Sequence, residues 1–271
     1  MSACNLCGAG DVRILETSAD GVRVVQCRKC GLIFLDPFPR YDAAAHYDEA
    51  YYRPWRDQAP QRAALWTRRA EFLRQFSPVG RLLDVGCGDG AFMLAARRQG
   101  WQVMGTEVSA WAADTLPGRD GLAVVRGELP GLELPGLFDA VTMWHVLEHV
   151  QEPGEALRAA VRLLRPGGVL TVAVPNAASH LFRLAYLLVK RRPLRYYAPG
   201  ERELHLYHFT PATLRTALEG AGLSILYEGV DRSSLTLPSY LLEGIALGIH
   251  GIAGVNWAAA MVAVAARRET P

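Results

Sequence analysis

One short stretch constrains the fold more than any other. Arg81-Leu82-Leu83-Asp84-Val85 is a mostly apolar run, Gly86-Cys87-Gly88-Asp89-Gly90 follows at once, and Ala91-Phe92-Met93-Leu94-Ala95-Ala96 opens a helical pattern. A strand, a glycine turn and a helix in that order make the first unit of a doubly wound α/β fold that binds a nucleotide. Glycines let the backbone approach a ligand where a Cβ would clash. The next strand, Trp101-Gln102-Val103-Met104-Gly105-Thr106, ends at Glu107. That carboxylate lies about twenty residues beyond the glycines, where it can accept hydrogen bonds from ribose hydroxyls. The turn alone leaves two readings open, because Gly86, Gly88 and Ala91 also satisfy the dinucleotide pattern. Asp84 weighs against a dinucleotide: a carboxylate there repels a pyrophosphate and suits a cationic cofactor or an amino group.

The downstream segments decide further. Phe138-Asp139-Ala140-Val141-Thr142-Met143-Trp144 reads as a strand and runs into His145-Val146-Leu147-Glu148-His149. Arg165-Pro166-Gly167-Gly168 turns into Val169-Leu170-Thr171-Val172-Ala173-Val174, which ends at Pro175-Asn176. LLDVGCGDGAF, FDAVTMWHVLEHV and LLRPGGVLTVAVPN together resemble, in order and spacing, the class I S-adenosylmethionine-dependent methyltransferases, over roughly residues 45–268. The resemblance implies an α/β, Rossmann-like fold: a doubly wound, mostly parallel seven-stranded sheet whose last strand is antiparallel. It implies Asp84, Gly86 and Gly88 at the methionine end of S-adenosylmethionine, Glu107 on the ribose, Glu128 and Leu129 beside the adenine, and His145 bordering the cofactor. The family often carries aspartate where this chain has Glu128. Cys87, inside the turn, reads as a small packed side chain and not as a nucleophile.

The first forty residues need a separate account. Cys4 and Cys7 form one C-x-x-C pair, Cys27 and Cys30 another, with Gly8 and Gly31 after each second cysteine. Two thiolates from each turn complete a closed, tetrahedral zinc site. Val12-Arg13-Ile14-Leu15 and Val22-Arg23-Val24-Val25 read as strands joined around Asp20-Gly21, and Leu32-Ile33-Phe34-Leu35 as a third. So short a segment buries little apolar surface, which makes a metal staple physically sensible. A disulfide framework is the alternative; no signal peptide is visible, so a reducing cytoplasm is expected. The segment resembles the zinc-ribbon of some sugar C-methyltransferases and some ribosomal RNA methyltransferases. Asp36-Pro37-Phe38-Pro39 ends it. Residues 1–40 are therefore read as a zinc-ribbon and 41–271 as the methyltransferase domain.

Methyl transfer from a sulfonium is an in-line displacement, in which the protein aligns the acceptor and excludes water. A hydroxyl acceptor must also lose a proton, and histidine is the natural base near neutral pH. The candidates are His149, and His205 and His208 within Glu203-Leu204-His205-Leu206-Tyr207-His208-Phe209-Thr210. Both segments are expected at the carboxyl ends of strands, where ligands bind. His145 and His149, four apart, are expected to share one face of a helical turn. H-x-x-E-H also occurs in a class of zinc peptidases, but the flanking motifs make that a coincidence. Residues 43–76 look helical and carry Tyr47, Tyr51 and Tyr52, expected as core or lid.

Two insertions, at about 178–209 and 235–255, are expected to hold the acceptor. The first is an apolar helical run followed by Lys190, Arg191, Arg192 and Arg195. Those cations suit the phosphates of a nucleotide-linked or lipid-linked sugar, or a membrane surface. The second is apolar for a loop and suggests a lid or peripheral membrane contact. Residues 244–266 carry no formal charge, yet His250, Asn256 and several glycines argue against a spanning helix. The net charge of +2 is mild, which argues against a dedicated nucleic-acid binder. The resulting reading is a cytoplasmic enzyme, peripheral at the membrane, that methylates a hydroxyl or carbon of a small or carrier-linked acceptor, a sugar or related metabolite. Its rivals are an RNA base methyltransferase whose ribbon grips RNA, and a non-catalytic cofactor-binding module.

Overall fold

The computed structural model describes residues 3–39, 42 and 46–268. Strands β1 (Val12–Thr17), β2 (Arg23–Cys27) and β3 (Ile33–Asp36) form an antiparallel meander. The following helical stretch is two helices, α1 (Glu49–Asp57) and α2 (Ala59–Leu73), separated at Gln58, with a proline in the first turn of α2. Strands and helices then alternate: β4 (Arg81–Val85), α3 (Ala91–Arg98), β5 (Gln102–Glu107), α4 (Ala110–Asp120), β6 (Ala123–Arg126), β7 (Phe138–Trp144), α5 (Pro153–Leu163), β8 (Leu164–Pro175) and α6 (His180–Lys190). The chain finishes with β9 (Tyr207–His208), α7 (Pro211–Gly220), β10 (Leu223–Val230), α8 (Leu237–Ala253) and β11 (Ala260–Arg267).

The main sheet has seven strands in the order β10-β11-β8-β7-β4-β5-β6. Pairings among β4 to β8 are parallel, and β11 runs antiparallel to both β8 and β10. All of β7 is buried, as a central strand covered by helices on both faces must be. The chain winds outward in both directions from β4, towards β5 on one side and β7 on the other, so a crevice opens at the carboxyl ends of these strands. Helix α7 starts as its sequence directs: Thr210 and Thr213 form a reciprocal capping box and Pro211 opens the first turn.

The second sheet has the order β1-β2-β3-β9. Its fourth strand comes from the insertion after β8, with Phe34 opposite Tyr207 and Ile33 opposite His208. The Leu35 amide also donates to the Leu206 carbonyl at 3.0 Å. Tyr207 is fully buried against Phe34 and Phe38, and its hydroxyl donates to the Gln151 carbonyl at 2.8 Å. The Asn5 side-chain amide donates to the same hydroxyl. One apolar cluster runs from Cys4 and Phe34 through Tyr207 and Phe209 to Leu157 and Leu170. The N-terminal strands thus share a core with the large sheet.

The apolar stretch at 235–255 is helix α8 and not the loop expected of it. Thr236 stands at its N-cap, a proline lies in its first turn, and Gly254 closes it in the left-handed region at φ 69°. No helix among the described residues is long and apolar enough to cross a membrane.

Replacing Tyr207 with Ala should cost about 3–5 kcal/mol, the range for a large buried aromatic. Because the cluster is shared, chemical denaturation should follow one cooperative transition, with no separate early phase for residues 3–39.

Candidate active site

A cavity of about 420 Å³ lies at the carboxyl ends of β4, β5 and β7. Asp84, Gly86, Gly88, Glu107, Glu128, Leu129, His145, His149 and His205 all line it, whereas His208 does not. The glycine turn makes its floor. Gly86 has φ 65°, and a Cβ there would lie 2.6 Å from a Val146 methyl carbon, so only glycine fits. Asp84 is buried and accepts a hydrogen bond from the Thr142 hydroxyl at 2.7 Å. Burial pushes its carboxyl up to about 7, against the hydrogen bond from Thr142. Glu107 is also buried, and burial raises it; the Gly88 amide at 2.8 Å and the Ser109 amide at 2.9 Å hold it in place. Tyr52 faces Glu107 and stacks on Trp111 with ring centroids 5.4 Å apart. Leu129 is buried and Glu128 exposed. Cys87 is packed below the turn, its thiol pushed up by burial.

A chain of charges closes the cavity's other side. Arg69 on α2 reaches Asp231, just past β10, through two guanidinium nitrogens at 2.5 and 3.3 Å. Asp231 meets His145 Nε2 at 3.1 Å, and His145 Nδ1 lies 3.5 Å from Glu148. Burial opposes the charge on His145, but its two carboxylate partners outweigh that and raise it to about 9. Burial likewise opposes ionisation of Glu148, and the His145 contact overcomes it, holding the carboxylate at about 2. Arg69 and His145 hold Asp231 well below the ordinary range despite its burial. His145 adopts φ 57°, a strained backbone for a non-glycine residue that these contacts hold in place. Arg69 also lies over the Trp66 and Trp144 rings, at 4.9 and 4.4 Å.

Residues 145–149 form a turn and not a helix, with the His149 amide bonded to the Val146 carbonyl. His145 and His149 therefore diverge to either side of Glu148. His149 Nδ1 lies 2.7 Å from the Leu204 carbonyl, which can only accept, so that nitrogen carries the proton. Its Nε2 is left as the lone-pair nitrogen, 3.9 Å from Glu148. The His205 ring packs edge-on at 4.8 Å from that of His149. Burial lowers both histidines, so both are neutral at pH 7. His208 sits behind His205, ring centroids 6.1 Å apart, with Nε2 buried and unpartnered, and burial drives it down to about 3. Ligand atoms of Glu148, His149 and His205 lie within 4.8 Å of one another. That set could hold a divalent ion, but the protonated His145 already neutralises Glu148 and competes with one.

The four thiols of Cys4, Cys7, Cys27 and Cys30 also lie within 4.8 Å of one another, none in a disulfide. Cys4 and Cys30 sulfurs are 3.5 Å apart, as are those of Cys7 and Cys27. A tetrahedral zinc with Zn–S of about 2.3 Å needs sulfurs about 3.8 Å apart, so this set could hold one. The cations 190–195 do not reach the cavity. Sequence reasoning missed Arg69 and Asp231. The signal for Arg69 was a charge on an apolar helix face, four residues from both Leu65 and Leu73, all three buried. Asp231 had none, because only strand order brings it to His145.

A family model described as a methyltransferase domain matches residues 52–228. The chain belongs to this family, the class I S-adenosylmethionine-dependent methyltransferases. It is 33% identical over 152 residues to a ubiquinone biosynthesis O-methyltransferase of Caulobacter sp. (strain K31), covering 54% of this chain and 60% of that one. A protein of the same name from Xanthomonas campestris pv. campestris (strain B100) is 34% identical over 144 residues, 49% of this chain and 60% of that one. The chain thus spans about three fifths of the length of these relatives. Among solved structures, the CcbJ methyltransferase from Streptomyces caelestis matches with TM-score 0.59 at 18% identity, over 84% of this chain and all of that one. Magnesium protoporphyrin IX methyltransferase from Synechocystis PCC 6803, solved with SAH bound, matches with TM-score 0.55 at 16% identity, over 83% and 98% of the two chains. These likenesses carry the methyltransferase fold: the seven-stranded, mostly parallel sheet is the one the sequence motifs imply.

The charge chain sets a pH window for stability. His145 is raised above its ordinary 6.5, so its contribution is complete below pH 6.5 and is lost as pH rises through about 9. Glu148 is lowered from 4.5, so its contribution is complete above pH 4.5 and is lost as pH falls towards 2. The thermal midpoint should therefore fall between pH 6.5 and 9; below pH 6.5 the neutral buried histidines, His208 above all, also cost stability, because the unfolded chain takes up protons that they do not. A His145→Gln variant should lose that alkaline slope; an unchanged slope would remove His145 as its source.

Proposed function

We propose that this chain transfers the methyl group of S-adenosylmethionine to a hydroxyl oxygen of a small or carrier-linked acceptor, a sugar or related metabolite. The observation that carries the reading is one cavity with two unlike walls. One wall has buried carboxylates and a glycine cradle; the other has a neutral histidine pair.

The first wall fits the cofactor. Asp84 and Glu107 are buried carboxylates that burial raises, each held by neutral hydrogen-bond donors and neither in an ion pair among the described residues. Asp84, with Gly86 and Gly88, would take the amino-acid end, and Glu107 the ribose hydroxyls. Leu129 offers an apolar face to the adenine, with Glu128 at its exposed edge. His145, fixed by Asp231 and Glu148, borders the site as a positioning residue. The bound sulfonium supplies an already activated methyl, so the protein's task is alignment and exclusion of water.

The second wall handles the acceptor. His149 presents a lone pair on Nε2, because Leu204 fixes its proton on Nδ1. It can accept the hydroxyl proton as methyl transfer proceeds, and the anionic Glu148 at 3.9 Å stabilises the imidazolium formed. His205 extends the same wall. His208 is withdrawn from the cavity and makes strand pairing its task. Oxygen as the acceptor atom is also supported by the O-methyltransferase names of the curated relatives. The four-thiol cluster is assigned a structural zinc, which would brace the sheet that carries β9 and, beside it, His205.

Calorimetric titration should give S-adenosylmethionine binding and none of NAD; NAD binding alone would return the turn to a dinucleotide reading. Glu107→Ala should weaken cofactor binding by about 1–3 kcal/mol, the scale of a lost charged hydrogen bond. His149→Ala should lower turnover by about 10²- to 10⁴-fold with cofactor affinity retained, and His208→Ala should not. Since His149 is lowered from 6.5, the acid limb of the pH–rate profile should lie below pH 6.5. A limb above that value would assign the base elsewhere.

A further inference from the structure

We infer that the joined outer faces of α6 and α8 form a docking surface for an anionic phospholipid bilayer. The inference deepens the carrier-linked acceptor proposed above and rests on that reading only for what the surface delivers.

The two helices pack together through their inner faces. Leu181 of α6 and Leu247 of α8 join one small cluster around Val230, Ala246 and Ala258. Their outer faces are apolar and uncovered. No residue of α6 is buried, and Leu188 and Val189 are 70% and 76% exposed. On α8, Leu241, Ile245 and Ile252 project along one side, Ile252 at 92% exposure. Isolated exposed leucines are ordinary; a run of them across two adjoining helices is not. The single acidic residue of α8, Glu243, is turned inward and accepts the Ser234 amide.

The charge at the rim selects the occupant. Lys190 ends α6, Arg191, Arg192 and Arg195 follow it, all four are exposed, and residues 178–200 contain no acidic residue. A protein groove would call for neither so many uncompensated cations nor so flat an apolar face. An anionic bilayer satisfies both, with headgroups on the cations and acyl chains on the leucines. The helices are too short to cross a bilayer, so they lie in its surface. Leu235 lines the active cavity and leads directly into α8, while Pro175 lines it and precedes α6. Docking would therefore bring these cavity-lining segments close to the membrane, where a lipid-linked acceptor resides.

The test is flotation of the full chain with vesicles of phosphatidylcholine alone, or of phosphatidylcholine and phosphatidylglycerol in equal parts. The wild type should float with the anionic vesicles. A Leu188→Asp/Ile252→Asp pair should lower the bound fraction about tenfold or more, and Arg191→Glu/Arg192→Glu or raised salt should lower it too. S-adenosylmethionine titration should be unchanged in both variants, which separates a failure here from a failure of the cofactor assignment and reports folding. Wild-type protein left behind by anionic vesicles would overturn the proposal, as would variants that float as the wild type does. Self-association abolished by the leucine–isoleucine pair, with no flotation, would assign the face to a second copy and equally overturn it.

Discussion

The ion pair between Arg69 and Asp231 is the contact on which the site's geometry rests. Both side chains are almost completely buried, at 6% and 4% exposure. Each would be costly alone in the interior; removing one partner of such a pair typically destabilises by about 3–5 kcal/mol. The pair joins α2 to the end of β10, elements far apart in sequence. Asp231 then fixes His145, and His145 holds Glu148 ionised. Four charges in series thus set the turn after β7 in a strained conformation that no local preference supplies. Glu148 in turn accepts no side-chain hydrogen bond of ordinary length, while its backbone carbonyl takes the Leu206 and Tyr207 amides. The line of constraint therefore runs from α2 through the cavity wall into the β9 segment.

That segment connects the two sheets. Leu204 sets the tautomer of His149, His205 lines the cavity, and Tyr207 and His208 pair with β3. Five residues, 204–208, carry the proposed reacting wall on one end and the N-terminal sheet on the other. The thiol cluster lies outside the cavity, and the zinc proposed for it would stiffen the strands against which β9 is registered. Such bracing suits a site whose base must be held within a fraction of an ångström of its acceptor. Asn5, between two of the cysteines, donates to both Gln151 and Tyr207, so the knuckle itself touches the loop after His149.

What was legible in the sequence is what local chemistry dictates. The glycine turn, the strand ending in Glu107, the C-x-x-C pairs and the Thr210-Pro211 helix start all encode their geometry within a few residues. The structure places each as the pattern directs. His145 to His149 looked helical because the spacing was right, but the ion pairs of His145 demand φ 57°, which ends any helix. Residues 235–255 looked like a loop because a mostly apolar run broken by Pro238 and several glycines shows no clear helical period. His208 looked the better base of the two because strand pairing was not foreseen there; His208 lies in the two-residue strand β9, whereas His205, just before that strand, lines the cavity. Asp231 and Arg69 were invisible for a deeper reason. Their partnership exists only once β11 inserts between β8 and β10 and fixes where β10 ends.

The distribution of cations also bears on what the cavity accepts. Its walls are aromatic, with Tyr47, Tyr51, Trp55, Trp66 and Trp144 among the lining residues. Of the cations there, Arg69 is committed to Asp231, and Arg62 lies between the Trp55 and Trp66 rings at 4.4 and 5.1 Å. Arg62 is lowered by burial, and its Nε is a buried donor with no hydrogen-bond partner among the described residues, so it could donate to an anionic or a neutral oxygen of the acceptor. The exposed cations Lys190, Arg191, Arg192 and Arg195 lie at and just beyond the end of α6, outside the cavity. The carrier-linked acceptor proposed above would place its hydroxyl-bearing part on the aromatic faces of the cavity. On the proposed reading, the cations at the end of α6 would meet the anionic headgroups of the surface from which that acceptor comes, while the cavity's aromatic walls meet the acceptor itself.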